Sequence, residues 1–105
     1  MELKHIKTKK EEYYEDEQGR RQGEYKRFYG NGNLWLHSFW KDDKLKGKWQ
    51  RFYINGNLYA QCFYKEGKLN GKYKRFSENG ELKETEYYQN GVDITSKVEK
   101  LKKWN

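Results

Sequence analysis

Three lines of 24 residues can be written under one another in this chain without losing register: GEYKRFYGNGNLWLHSFWKDDKLK from Gly23, GKWQRFYINGNLYAQCFYKEGKLN from Gly47 and GKYKRFSENGELKETEYYQNGVDI from Gly71. A repeat of this length makes every copy the same small supersecondary unit. Such a unit cannot bury a face alone and is completed by stacking on its neighbours. The identical columns are Gly23/Gly47/Gly71, Arg27/Arg51/Arg75, Phe28/Phe52/Phe76, Asn31/Asn55/Asn79, Gly32/Gly56/Gly80 and Leu34/Leu58/Leu82.

The turns say what the unit is. Asn-Gly favours the two-residue type I′ turn, with positive φ at both positions, that joins twisted antiparallel strands. Turn dipeptides begin at Gln18, Asn31, Asp42, Asn55, Glu66, Asn79 and Asn90, alternately 13 and 11 residues apart, and only Asp42-Asp43 lacks Gly. Helices do not fit between breaks so close, whereas short strands of an up-and-down meander do.

The expected fold is therefore all-β: one antiparallel sheet, a single domain, built from the repeats 23–46, 47–70 and 71–94. Residues 1–22 form an N-terminal capping hairpin, with its strands between residues 2 and 17, that covers the sheet edge with charge. Residues 95–105 are a C-terminal helix or tail. Within them Ser96 and Glu99 match a capping box, Val98 and Leu101 share a helical face, and Lys102-Lys103 suit the negative end of a helix dipole. These signals predict a helix over 96–104, with Trp104 placed to pack on the last hairpin.

Alternation across two-residue turns assigns the columns to two faces. The first carries the repeat Gly, Tyr25/Trp49/Tyr73, Arg27/Arg51/Arg75, Tyr29/Tyr53/Ser77, Leu34/Leu58/Leu82, Trp40/Tyr64/Tyr88 and Leu45/Leu69. The second carries Phe28/Phe52/Phe76, Phe39/Phe63/Tyr87 and Trp35/Tyr59 among polar residues. The first is the better core: its two Leu columns add aliphatic fill, and its glycines let rings lie close to the backbone.

An Arg column in a core admits two readings. Either each guanidinium stacks on an aromatic such as Tyr25, Trp49 or Tyr73 and is mostly buried, Arg51 above all as the central copy, or the column is a site for an anion or acidic partner. The Phe28, Phe52 and Phe76 row, with Trp35 and Tyr59 nearby, likewise reads as a contact surface, unless a β-bulge after the Arg column turns both aromatic sets inward.

Composition agrees with a thin sheet. Charged residues make up 37% of the 105 and hydrophobic residues only 33%, but 10 Tyr, 5 Phe and 4 Trp are far more aromatic mass than a disordered chain carries. The net charge of +7 is distributed as +2 and +3 over the first two repeats and −1 over the third. It permits an acidic protein, RNA or anionic lipid as partner and draws no continuous basic stripe. One cysteine, and no apolar run suited to a leader or membrane span, make a reducing cytoplasm the expected compartment; a chain trimmed of a leader would read the same.

No catalytic constellation is evident. Cys62 and His37 fall on opposite faces of adjacent units, and Cys62 reads as a small packed hydrophobe. His5 and His37 have no repeated partner column for a metal, Glu84 and Glu86 do not recur and look solvated, and the glycines sit in hairpin turns, not in a phosphate-cradling loop. The expectation is no enzyme, no metal and no cofactor.

The lines GKWQRFYINGNLYAQCFYKEGKLN and GKYKRFSENGELKETEYYQNG resemble the bacterial variant of the MORN repeat, in which aromatic residues precede Asn-Gly-x-Leu and a second Gly turn follows. The likeness covers roughly residues 11–94 and carries no catalytic residue. Bacterial proteins similar to this are described as antitoxins of the YwqK type, which implies neutralising a toxin by direct binding; other MORN proteins resemble scaffolds or associate with phospholipids. The chain departs from the pattern at Asp16, Asp42-Asp43 and Ser77. The expected function is a non-catalytic protein-binding module, antitoxin-like or immunity-like, whose binding residues are Arg27, Arg51, Arg75, Tyr25, Trp49, Tyr73, Phe28, Phe52, Phe76, Trp35 and Tyr59. The alternatives are a basic and aromatic surface for RNA or anionic membrane, with Lys97, Lys100, Lys102 and Lys103 contributing to the latter, or a scaffold. Nothing in the repeat fixes an oligomeric state.

Overall fold

A computed structural model describes residues 2–102. The chain forms one open antiparallel sheet of β1 (Lys4–Lys7), β2 (Glu11–Glu15), β3 (Gly23–Phe28), β4 (Leu34–Lys41), β5 (Lys44–Leu45), β6 (Gly47–Phe52), β7 (Leu58–Lys65), β8 (Lys68–Leu69), β9 (Gly71–Phe76), β10 (Leu82–Gln89) and β11 (Val92–Asp93), followed by helix α1 (Thr95–Lys102). The spatial order is β1-β2-β3-β4-β6-β7-β9-β10-β11, with β5 paired to β4 and β8 to β7. The sheet is thin and long, with extents of 51 × 32 × 15 Å.

The two kinds of hairpin turn are divided differently from the sequence expectation. Asn31, Asn55 and Asn79 are not at positive φ; only Gly32, Gly56 and Gly80 are, at 89, 94 and 93°. The Tyr29 N–H donates to Asn33 O and the Gly32 N–H to Tyr29 O. This is a three-residue loop, a type I turn closed by a left-handed Gly that forms a G1 bulge. The two-residue turn with both residues at positive φ is made instead by Asp42-Asp43, Glu66-Gly67 and Asn90-Gly91. Asp42-Asp43 adopts it without Gly, because short Asp side chains tolerate the left-handed region.

A second bulge, at Trp35 and distinct from the one at Gly32, changes the face assignment near the loop. β3 and β4 oppose Arg27 to Leu36 and then Phe28 to Leu34, which leaves Trp35 as an extra residue. Tyr59 and Lys83 are skipped in the same way in the next two units. Leu34, Leu58 and Leu82 therefore move to the second face beside the Phe column, while Trp35 and Tyr59 come round to the Arg column. Both changes are confined to the loop end: the three-residue loop shifts the register by one and the bulge at Trp35 shifts it back, so Arg27 and all that lies further from the loop keep the alternation expected of a two-residue turn.

The first face is the core. Tyr25 and Ser38 oppose each other, as do Trp49 and Cys62, then Tyr73 and Glu86. The strand order sets these pairs in one row that mostly alternates large and small. A ring flanked by small side chains can lie along the sheet and cover them, which accounts for Ser38 and Cys62 at 1% exposure, Ala60 at 0% and Tyr25 at 5% without a second layer. The repeat glycines serve another purpose than the expected close approach. A Cβ on Gly23 or Gly47 would meet nothing within 4 Å, but both sit at positive φ. Leu45 faces Trp40 whereas Arg51 faces Leu36, so the register slips by two residues around Gly47, and only a residue free to take that φ allows it.

Neighbouring units are tied at both ends of the strands. On the three-residue-loop side, Tyr29 Oη donates to Phe52 O at 2.6 Å and Asn33 Nδ2 to Ile54 O at 2.9 Å; Tyr53 and Asn57 repeat this towards Phe76 and Glu78 at 2.7 Å each. On the other side, the Gly67 and Gly91 amides donate to Leu45 O and Leu69 O. Ser77 and Glu81 stand where Tyr and Asn would reach for a further repeat.

Asp16, in place of the expected aromatic, is buried and closes the first loop. Its carboxylate accepts from the Gln18 and Arg20 amides, Arg20 Nε and Gln22 Nε2. Arg21 holds the position taken later by Leu45 and Leu69, its guanidinium 4.9–5.1 Å from the rings of Tyr25, Tyr13 and Trp40. At the far end α1 packs on β10. Its first turn is bonded through Asp93 and Thr95, with Val98 N–H on Ile94 O, and not through the expected Ser96–Glu99 box. Lys103 and Trp104 lie outside the described residues.

Candidate binding surface

The bulge gives the Arg column its partners. Arg27 Cζ lies 4.7 Å from the Trp35 ring centroid, and Arg51 lies 5.7 Å from Trp35 and 5.2 Å from Tyr59. The result is a ladder, guanidinium–ring–guanidinium–ring, crossing two repeats. Each contact adds attraction between a cation and a ring quadrupole of about 0.5–1 kcal/mol at exposed sites. Contrary to the expectation of burial, Arg27 and Arg51 are exposed, Arg51 included although it is the central copy. Their stacking rings are also not Tyr25 and Trp49, which lie in the core row beside them, two residues back along each strand.

Arg75 behaves differently. It is half-buried, 4.7 Å from the Tyr73 ring, and its Nη1 reaches Glu86 Oε1 at 3.0 Å and Glu84 Oε2 at 3.4 Å. Burial disfavours its charge, but Glu86, Tyr73 and Glu84 outweigh that and hold its pKa above the ordinary value. Glu84 and Glu86 are thus ion-pair partners, where the sequence had them as merely solvated. Lys83 occupies the ladder position of Trp35 and Tyr59, so the third repeat has no ring there. Among the described residues, neither Arg27 nor Arg51 has a carboxylate within ion-pairing distance.

The expected binding residues accordingly divide among three places. Arg27, Arg51, Trp35 and Tyr59 share an accessible surface. Tyr25, Trp49 and Tyr73 support it from the core; burial raises the Tyr25 and Tyr73 pKa values, the former helped by a hydrogen bond to Glu11. Phe28, Phe52 and Phe76 lie on the second face, half-buried beside Leu34, Leu58 and Leu82. An open groove continues the ladder past Arg27 and Trp35 to Tyr29, Lys9 and Lys10. Those lysines were not marked in the sequence, because their place beside Phe28 depends on the hydrogen bond from Phe28 N–H to Lys10 O.

A second groove lies between the two-residue turns, with Lys41, Lys44, Lys46 and Lys65 around Phe63 and Tyr64. It has cations but no stacked guanidinium. His37 is on the second face, 2.8 Å from Glu24, and Cys62 is enclosed on the first with burial pushing its thiol up to about 12, so the two do not meet. No helix among the described residues is long and apolar enough to cross a membrane.

A comparison with curated proteins finds no match. A family model, described as the MORN repeat variant, matches residues 21–42, 45–66 and 69–91, in step with the three repeats and over more than half of the chain. Repeat length, paired turns and matched segments agree, and the chain belongs to the MORN repeat variant family.

Proposed function

We propose that this chain is a non-catalytic protein-binding module that presents Arg27, Trp35, Arg51 and Tyr59 to an acidic protein surface, used as an antitoxin or immunity protein uses such a surface, to neutralise a partner by direct contact in the cytoplasm. The observation that carries this reading is the contrast within one column: Arg75 is neutralised by two carboxylates, whereas Arg27 and Arg51 are stacked on rings and form no ion pair among the described residues, the Glu11 carboxylate opposite Arg27 being bonded by Tyr25 Oη instead. Their rings hold the guanidiniums before a partner arrives, which lowers the ordering cost of binding. Arg, Trp and Tyr are also the residues that dominate interface energetics. A track for RNA or anionic lipid is supported less well. The cation and ring alternation spans two repeats, the third is acidic, and Lys102 of α1 is engaged by Tyr87 Oη at 2.7 Å.

The test is a pull-down with mass spectrometry from the native cell, using the wild-type chain and the Arg27→Ala/Arg51→Ala variant as baits. An acidic protein should be retained by the first and lost from the second. Affinity should fall by roughly 5- to 30-fold per anchor residue, at about 1–2 kcal/mol each, with the β-type circular dichroism spectrum unchanged. Equal retention by both baits, or RNA or anionic vesicles retained at physiological salt in place of a protein, would refute the proposal.

A further inference from the structure

Among the described residues the sheet leaves a strand edge open at both ends. β10 is paired along one side to β9, but along the other only Tyr88 and Gln89 have a strand partner among the described residues, β11, and both main-chain groups of Tyr87 are taken, its N–H by Thr95 Oγ1 at 2.9 Å and its C=O by the Ile94 N–H at 2.8 Å. In β4 and β7 the stretch that pairs with the next repeat is Leu36–His37 and Ala60–Gln61. The equivalent stretch of β10, Glu84 and Thr85, has no strand on its outer side among the described residues. At the opposite end β1 pairs with β2 alone. An unpaired edge is a template for another strand.

Direction and charge both favour one arrangement. The full-length strands run β1, β2, β3, β4, β6, β7, β9, β10, each antiparallel to the last, so β1 and β10 point in opposite senses. A second copy moved along the sheet without being turned over therefore brings its β1 antiparallel to the first copy's β10, and the meander continues. The bond from Phe28 N–H to Lys10 O puts the Thr8–Lys10 turn on the same side of the sheet as the three-residue loops. Lys9 and Lys10 of one copy then come alongside Glu78 and Glu81 of the other, and all four are exposed. In the inner units that position holds Asn33 or Asn57, which donates to a loop carbonyl of the next repeat. A carboxylate at Glu81 cannot donate to a carbonyl, but it accepts from an ammonium.

We infer that this chain associates head to tail with further copies of itself, β1 of one on β10 of the next, through main-chain pairing and a Lys9/Lys10 to Glu78/Glu81 contact. The contact is heterologous and does not close, so the product is a row of copies and not a fixed dimer.

Sedimentation of the 105-residue chain tests this, taken up to about 1 mM, where a contact with a Kd of ~1 mM is substantially formed. The average mass should rise with concentration from one copy to two or more and fall back as salt is raised. Lys9→Glu/Lys10→Glu and Glu78→Lys/Glu81→Lys, each checked for an unchanged β spectrum, should be monomeric alone. Mixed in equal amounts they should associate again, because each then carries the complement of the other's edge. A wild-type chain that stays monomeric throughout, a variant that still associates by itself, or a mixture that does not recover would each overturn the inference.

Discussion

Two glycines in one loop should respond oppositely to the same substitution. Gly30 and Gly32 flank Asn31, and a Cβ at either would meet nothing within 4 Å, so neither change introduces a clash. Gly32 sits at φ +89°, while Gly30 is not at positive φ. Placing an L-residue in the left-handed region costs about 1–2 kcal/mol. Where the backbone is already compatible, Gly→Ala stabilises by about 0.4–1 kcal/mol, by restricting the unfolded chain. Gly32→Ala should thus lower the melting temperature and Gly30→Ala raise it, separating the two variants by on the order of 10 °C in a domain of this size. Thermal unfolding followed by circular dichroism measures both. Asn31→Asp belongs in the same set, since Asn31 Oδ1 accepts from the Asn33 N–H at 2.9 Å and a carboxylate keeps that bond. In a two-residue turn Asn31 would itself need positive φ and Gly30 would lie in the strand. Gly32→Ala without cost, or both glycine variants moving the same way, would therefore refute the loop geometry.

The Asp16 carboxyl is held down at about 2, against 3.8 unperturbed, first by its hydrogen bond from Gln22 and then by those from Arg20 and Gln18. A depressed folded pKa contributes stability that is complete above the unfolded value and is lost as pH falls through the folded one. The stability advantage of wild type over Asp16→Asn should accordingly shrink between pH 4 and pH 2, as read by urea unfolding at several pH values; a difference constant across that window would contradict the assignment. Burial lifts the Cys62 thiol from 9.0 to about 12, which reduces its thiolate at pH 8 by about a thousandfold. Iodoacetamide should leave native Cys62 unmodified and alkylate it promptly in denaturant, and comparable rates in the two states would count against its enclosure.

The 24-residue period, the alternating turn spacing and the aromatic columns are local and repeated, so the meander and its core face were legible without coordinates. Ser38, Cys62 and Ala60 lie on the face that the Gly, Tyr and Trp columns indicated. The ends could be read in part: the short helix is present, but its bonding through Asp93 and Thr95 depends on the preceding hairpin delivering Thr95 to the Tyr87 amide at 2.9 Å. Asn33 and Asn57 carried a signal that went unused. They change to Glu81 in the same repeat in which Tyr29 and Tyr53 give way to Ser77, as expected of residues whose partner is the next unit.

The candidate surface was half visible for a definite reason. Sequence alone determined that an Arg column recurs among aromatics, because identity of columns needs no geometry. It did not determine which aromatics stack on it. That depended on whether the loop closes over two residues or three, and the same Asn-Gly serves both. Choosing three inserts Trp35 and Tyr59 as bulge residues, exchanges them with Leu34 and Leu58 between the faces, and leaves Arg27 and Arg51 stacked but unpaired. One residue of register is a small energetic matter within a single hairpin, and cross-strand packing over the whole stack of repeats decides it, so only the tertiary structure could say which side chains share the surface.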